Sequence, residues 1–171
     1  MTAGIGFHLR CDYNLLMAES SEKSPTRNRP QHNGRVHGVV VAIYRAEDRK
    51  WLMIRRSENV AAPLSVCFPG GAREHGETHE QTAHREMQEE LGLTVHLLQQ
   101  VWHHEVDDRP LTLFGYLAIL DPAQQMITPD PYEIAEPLWL TTEEALAQPD
   151  AIPNSAYFIE KLTIALPKHG F

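Results

Sequence analysis

Glu86, Glu89 and Glu90 lie close together in the stretch "REMQEELGL", at a spacing that a helix would turn into one acidic face. With Glu86 at zero and about 100° per residue, Glu90 falls near 40° and Glu89 near −60°. Ala83, Met87 and Leu91 follow at about 60°, 100° and 140°, an apolar stripe beside the carboxylates. The stripe must face a core, which leaves the carboxylates at its border, neither deeply buried nor fully washed by water. Such a face works against its own helix. Like charges three and four residues apart repel, at about 0.2–0.5 kcal/mol per pair. Negative charge in a last turn also opposes the helix dipole, by roughly 0.3–1 kcal/mol per group. A hard divalent cation would relieve both penalties, because Mg²⁺ takes oxygen ligands while keeping several of its waters. The plain alternative is a solvated acidic face on a surface helix.

The loop ahead of the helix decides between the two. Gly71 is followed after five residues by Glu77, and Glu77 after seven by Arg85 and Glu86, with Glu89, Glu90 and Gly92 behind them and apolar Met87 and Leu93 between. This pattern of nine positions over 23 residues resembles the Nudix box, and the chain is similar to Nudix hydrolases from residue 36 to residue 166. The resemblance implies an α/β fold of the α+β kind, a Nudix-type α/β/α sandwich around a mixed β-sheet. It implies hydrolysis of a diphosphate linked to another moiety, with Mg²⁺ or Mn²⁺ as cofactor. Carried over by position, Glu86, Glu89 and Glu90 are metal ligands, and the Gly70 carbonyl is a further one. Glu77 and Arg85 are a supporting pair that fixes the loop against the helix. At about −100°, Arg85 is expected on the outer side of the helix.

Outside the box, the phrasing resembles the MutT branch, whose members hydrolyse nucleoside triphosphates to monophosphates and pyrophosphate. Glu133, six residues before Trp139, matches a glutamate that the branch uses near the metals, as ligand or as base for the water. Glu136 is the neighbouring alternative. Arg56, beside Arg55, matches an arginine that ends the second strand and reaches the phosphates; strand alternation turns only one of the two inward. Arg109 lies in "DDRPLTLFGYLAIL", which resembles the branch's Asp-Arg-x-x-Thr-Leu strand and implies a further substrate-binding residue. Asn154 matches a purine-reading asparagine, a role that suits an amide able to donate and accept at once; capping the last helix is its other reading. ADP-ribose, dinucleoside polyphosphate and coenzyme A diphosphatases share the box and remain alternatives. So does a Nudix domain retained for ligand sensing without catalysis.

These residues need elements to carry them. "VHGVVVAIYR" and "WLMIRR" read as two strands joined at "EDRK", a hairpin. "SVCFPGG" reads as a short strand stopped by Pro-Gly-Gly. Thr78 with Gln81 resembles a capping box for the acidic helix, and Gly92 suits its C′ position. "TVHLLQQVWHHEV", "LTLFGYLAIL" and "EIAEPLWL" read as further strands. Thr141 or Thr142 caps a helix through "EEALAQ", and "SAYFIEKLTIAL" closes the chain as an amphipathic helix. Mixed strands with three helices predict a mixed sheet with helices on both faces.

Bulk properties narrow the partners. The chain has 171 residues, 42% hydrophobic and 22% charged, enough for one core. A net charge of −8 argues against a general nucleic-acid or acidic-membrane surface, and the expected partner is a small nucleotide. Monomer and homodimer both remain open. Two cysteines, Cys11 and Cys67, read as reduced thiols, and no apolar run nears the ~20 residues of a membrane span. Arg10 and Asp12 interrupt any leader-like segment, so a cytoplasmic location is expected. His79 and His84 are five apart, about 140° around a helix, and cannot share a zinc ion as an HExxH pair does. Residues 1–34 read as a polar arm or linker ahead of a domain over 35–171, with Met17 as an alternative start.

Overall fold

The computed structural model describes residues 29–107, 109–123, 126–153 and 155–171. Most of the expected arm, with Cys11 and Met17, falls outside them. The folded unit takes in residues before 35, because Gln31–His32 form a short strand, β1, paired with β2 (Arg35–Arg45). β3 (Lys50–Arg56) follows, then β4 (Val66–Cys67), α1 (His79–Leu91), β5 (Val95–Val106), β6 (Leu111–Leu120) and β7 (Ile134–Leu140). Two helices, α2 (Thr142–Leu146) and α3 (Ser155–Ala165), and a final 3-10 turn (Leu166–His169) complete the chain.

The sheet is mixed, as expected. Its order is β4-β3-β2-β6-β5, with β1 on β2 and β7 on β3. β2 and β6 run parallel from Val36 opposite Leu111 to Ile43 opposite Ala118, and the other pairings are antiparallel. The β2–β3 hairpin is short, because only Ile43, Tyr44 and Arg45 pair with Leu52, Trp51 and Lys50. Beyond that point β3 leaves β2, and the vacated edge of β2 is taken by the loop after β4. There the Val39 and Val41 amides donate to the Gly71 and Pro69 carbonyls at 2.8 and 2.9 Å. The stretch read as one strand ending in Pro-Gly-Gly is therefore a two-residue strand plus a loop. Its backbone groups are satisfied by β2, as buried polar groups require.

Strand alternation divides the core in two. Val39, Val41, Ile43, Leu52 and Ile54 face Ala83, Met87 and Leu91 of α1. Ala42, Tyr44, Trp51 and Met53 face Phe158, Ile159 and Leu162 of α3. Burying Met87 and Leu91 completely contributes roughly 1.5–3 kcal/mol each before entropy is counted. The capping signals read from the sequence hold. Thr78 and Gln81 form a reciprocal box, and Gly92 ends α1 at φ 65. Thr141 caps α2 with Glu144, although α2 stops at Leu146 and not at Gln148. No helix among the described residues is long and apolar enough to cross a membrane.

Candidate active site

Where β3 parts from β2, a cavity of about 500 Å³ opens. Glu86, Glu89, Glu90, Glu133, Arg56 and Gly70 all line it. Arg85 does as well, whereas Glu77 lies behind it.

The loop reaches this position because two glycines permit close approach. Gly70 has φ 144, and a Cβ on it would collide with the Val39 carbonyl. A Cβ on Gly71 would occupy the space of the Glu86 carboxylate. The glycines thus let the loop lie against β2 on one side and the acidic helix on the other. The Gly70 amide donates to Glu90 Oε2 at 2.9 Å, tying loop to helix.

Glu77 and Arg85 brace the same loop. Arg85 Nε and Nη2 donate to the two Glu77 oxygens at 2.7 and 3.2 Å, and Nη2 also donates to the Ala72 carbonyl at 2.9 Å. The Glu74 amide and the Thr82 hydroxyl each donate to Glu77 Oε2 at 2.9 Å. The Arg85 hydrogen bond, with these further donors, holds the Glu77 carboxyl down at about 2 against the cost of burial. Arg85 is not on an outer, solvent-facing side. Loop 72–77 covers that flank, and Arg85 Nη1 turns inward to donate to Glu86 Oε1 at 2.8 Å and Glu89 Oε2 at 3.0 Å.

The three box carboxylates differ more than the helical wheel implied. Glu89 is exposed, while Glu86 retains 9% and Glu90 4% of its surface. The wheel placed all three at a border. The loop, absent from a wheel, seals Glu86 and Glu90. Burial, then repulsion from Glu89 and Glu133, lifts the Glu86 carboxyl to about 7 despite Arg85. Burial and the charges of Glu86 and Glu133 raise Glu90 well above the ordinary carboxylate range, outweighing its bond from Gly70.

Glu133 arrives from the loop before β7. That loop docks on the C-terminal end of α1, where the Thr128 and Asp130 amides donate to the Leu91 and Glu90 carbonyls at 2.8 and 2.9 Å. These bonds satisfy helix-end carbonyls and bring the loop to the acidic helix. The Ser57 amide holds the Glu133 carbonyl at 2.9 Å. Glu136, one turn of the pleat away, is exposed and faces Arg55 at 3.8 Å.

Of the two strand-end arginines, Arg56 turns inward, with Nε donating to the Ala61 carbonyl at 2.6 Å. Arg55 turns out, toward Glu136, Asp150 and the Leu64 carbonyl. Arg109 sits in the β5–β6 turn and does not line the cavity. There its carbonyl receives the Leu111 amide at 2.8 Å. Asn154 lies outside the described residues. Residues that the sequence reading did not single out also line the cavity: Arg73, Trp102, Leu113 and Phe158. Only tertiary packing brings them there.

Among the described residues no three His, Cys, Asp or Glu side chains are closed into a ready-made cation cage. The donor chemistry nevertheless fits Mg²⁺ or Mn²⁺. Glu86, Glu90 and Glu133 are hard oxygen donors; the charge of Glu133 raises the proton affinity of Glu86 and of Glu90, and a divalent cation would relieve that repulsion.

The NUDIX domain model matches residues 34–162, and the chain belongs to that family. It is 37% identical over 81 residues to the 8-oxo-dGTP diphosphatase of Escherichia coli K12, a match covering 46% of this chain and 63% of that one. The chain thus spans less than two thirds of that relative's length. Among solved structures it is similar to a NUDIX-family hydrolase from Clostridium perfringens, with TM-score 0.61 and 20% identity, over 76% of this chain and 97% of the other. It is also similar to a MutT protein from Methanosarcina mazei Go1, with TM-score 0.59 and 19% identity, over 83% and 100% of the two chains.

Proposed function

We propose that this protein hydrolyses a nucleoside diphosphate linked to a further group, with a nucleoside triphosphate yielding monophosphate and pyrophosphate as the main reaction. The observation that carries the reading is the buried pair Glu86 and Glu90, facing the charge of Glu133, in the wall of a nucleotide-sized cavity. Family membership supports it, as does likeness to a relative named as a diphosphatase.

In this reading Glu86, Glu89 and Glu90, with the Gly70 carbonyl, would hold Mg²⁺ or Mn²⁺. The cation would neutralise phosphate oxygens and make bound water more acidic. Arg56 lies on the cavity wall as a fixed cation for the phosphate chain. Glu133 serves as a further ligand or takes the proton of the attacking water. The water oxygen bonds to phosphorus, the phosphoanhydride bridge breaks, and its electron pair leaves with pyrophosphate. Arg85 and Glu77 keep the loop and Glu86 in register through the bonds described above. The apolar wall formed by Leu113, Phe68 and Phe158 suits a base.

The test is product analysis on nucleoside triphosphates, dinucleoside polyphosphates, ADP-ribose and coenzyme A, with Mg²⁺ or with chelator. Monophosphate and pyrophosphate from triphosphates, in Mg²⁺ alone, are the expected products. Turnover confined to ADP-ribose or coenzyme A would reassign the substrate. No turnover across the panel would leave a ligand-sensing domain.

A further inference from the structure

Ser57 directly follows Arg56 at the end of β3, yet only 5% of its surface is exposed. A buried hydroxyl needs partners, because a polar group left unpaired away from water is costly. The Ser57 hydroxyl donates to the Tyr132 carbonyl and accepts the Asn59 amide at 3.1 Å. Its own amide donates to the Glu133 carbonyl at 2.9 Å. One residue thus grips both carbonyls that flank the Glu133 Cα, and so constrains where that side chain leaves the backbone.

The turn that carries Glu133 is also closed from within. The Asp130 carbonyl accepts the Glu133 and Ile134 amides at 3.1 and 2.8 Å, and Asp130 Oδ1 accepts the Tyr132 amide at 2.9 Å. The Asp130 amide, on the Glu90 carbonyl at 2.9 Å, ties this turn to α1. Toward β3 the hold is less regular. Arg55 pairs with Glu136 and Arg56 with Ile134, so Ala135 is an extra residue in the β3–β7 ladder. A bulge of this kind bends its strand and interrupts the pairing that would set the register. Ser57 takes up the grip just beyond it. Glu133 lines the cavity within electrostatic reach of Glu86 and Glu90, whereas Ser57 does not line it. We infer that Ser57 is a positioning residue, whose hydroxyl holds Glu133 at its working place opposite the phosphates that Arg56 receives. Consecutive residues thereby supply the phosphate cation and the clasp for the carboxylate. The role rests on the hydrolase reading proposed above, and it adds a residue that acts only through Glu133.

Ser57→Ala removes the hydroxyl and keeps the amide bond to Glu133. Amide hydrogen exchange in metal-free protein tests the hold itself. Exchange at residues 132–134 should quicken about tenfold, the worth of one hydrogen bond, while Met87 and Leu91 of α1 stay protected. No change at 132–134, or an equal rise throughout the chain, overturns the inference. Steady-state kinetics on a nucleoside triphosphate with Mg²⁺ tests the consequence. kcat should fall between about 10- and 100-fold, as for a reacting group misplaced by up to about 1 Å, with KM within about twofold. A raised KM with kcat unchanged would mean that the hydroxyl acts through Arg56, and also overturns it. In a Glu133→Gln background the same change should alter kcat less than about twofold, because residues acting through one group are not additive. A full effect there shows a merely structural role. If the wild-type enzyme hydrolyses nothing, the hydrolase reading fails and the positioning role falls with it. Wild-type hydrolysis that Ser57→Ala leaves intact sinks only the role of Ser57.

Discussion

Glu77 lies in the loop just before α1 and Glu90 within α1, yet their surroundings treat their charges in opposite ways. Glu77 accepts from Arg85, Thr82 and the Glu74 amide, and stays ionised down to about pH 2. Glu90 receives the Gly70 amide but is buried facing the charges of Glu86 and Glu133, which favour its protonated form. The first arrangement is complete within the chain. The second leaves negative charge unbalanced in a cavity wall, and that imbalance is what a bound cation would correct. The contrast separates a brace at the start of α1 from a candidate cation site near its end.

The largest expected effect comes from neutralising the unbalanced side. Glu90→Gln should lower Mg²⁺-dependent hydrolysis about 10³-fold, since losing a cation ligand is worth several kcal/mol of transition-state stabilisation. In chelator at pH 8 its melting temperature should match or exceed that of the wild type, because a buried like charge has gone. An active variant, or one that melts well below wild type, would erase the distinction drawn here.

Acidity distinguishes the two sides without mutation. Glu77 has a folded value of about 2, below its ordinary 4.5. Its stabilisation is therefore complete above pH 4.5 and is lost as pH falls through 2. Glu86 has a folded value of about 7, above its ordinary 4.5. Its contribution is complete below pH 4.5 and is lost as pH rises through 7, and Glu90 moves in the same direction. Urea unfolding in chelator should thus show stability falling between pH 4.5 and 7 by roughly 3 kcal/mol. Saturating Mg²⁺ should abolish most of that decline, since a ligand of the folded state stabilises it. Identical curves with and without Mg²⁺ would count against a cation site.

The brace can be broken in its own right. Glu77→Gln should destabilise the protein by about 2–3 kcal/mol whether or not Mg²⁺ is present, because it leaves Arg85 partly buried and short of its partner. Thermal melts in chelator and in Mg²⁺ should therefore shift together, unlike those of Glu90→Gln. The smallest contrast lies at the end of β3. Arg56→Ala should raise KM for a triphosphate about tenfold, whereas Arg55→Ala should change it less than about twofold, as expected of an exposed ion pair. Steady-state kinetics on the two variants settles which arginine the phosphates meet.

Much of this was legible in the chain. Helical periodicity put Glu86, Glu89 and Glu90 on one sector, and Thr78, Gln81 and Gly92 marked the ends of α1 because caps are local chemistry. Alternation allowed only one of Arg55 and Arg56 to turn inward. It could not say which, because that depends on the face of β3 on which the cavity lies. The unequal burial of the acidic residues was hidden for a similar reason. A wheel describes one helix, whereas Glu86 and Glu90 are sealed by a loop that hydrogen-bonds to β2.

The sequence alone determined what depends on neighbours a few residues away: the helix, its caps, the strand pattern and the spacing of the Nudix box. Tertiary structure alone decided which carboxylates lose their water, that Glu133 faces the cavity while Glu136 faces Arg55, and that Trp102 joins the cavity wall. Burial and charge repulsion act through space, between residues whose separation along the chain carries no information about their distance.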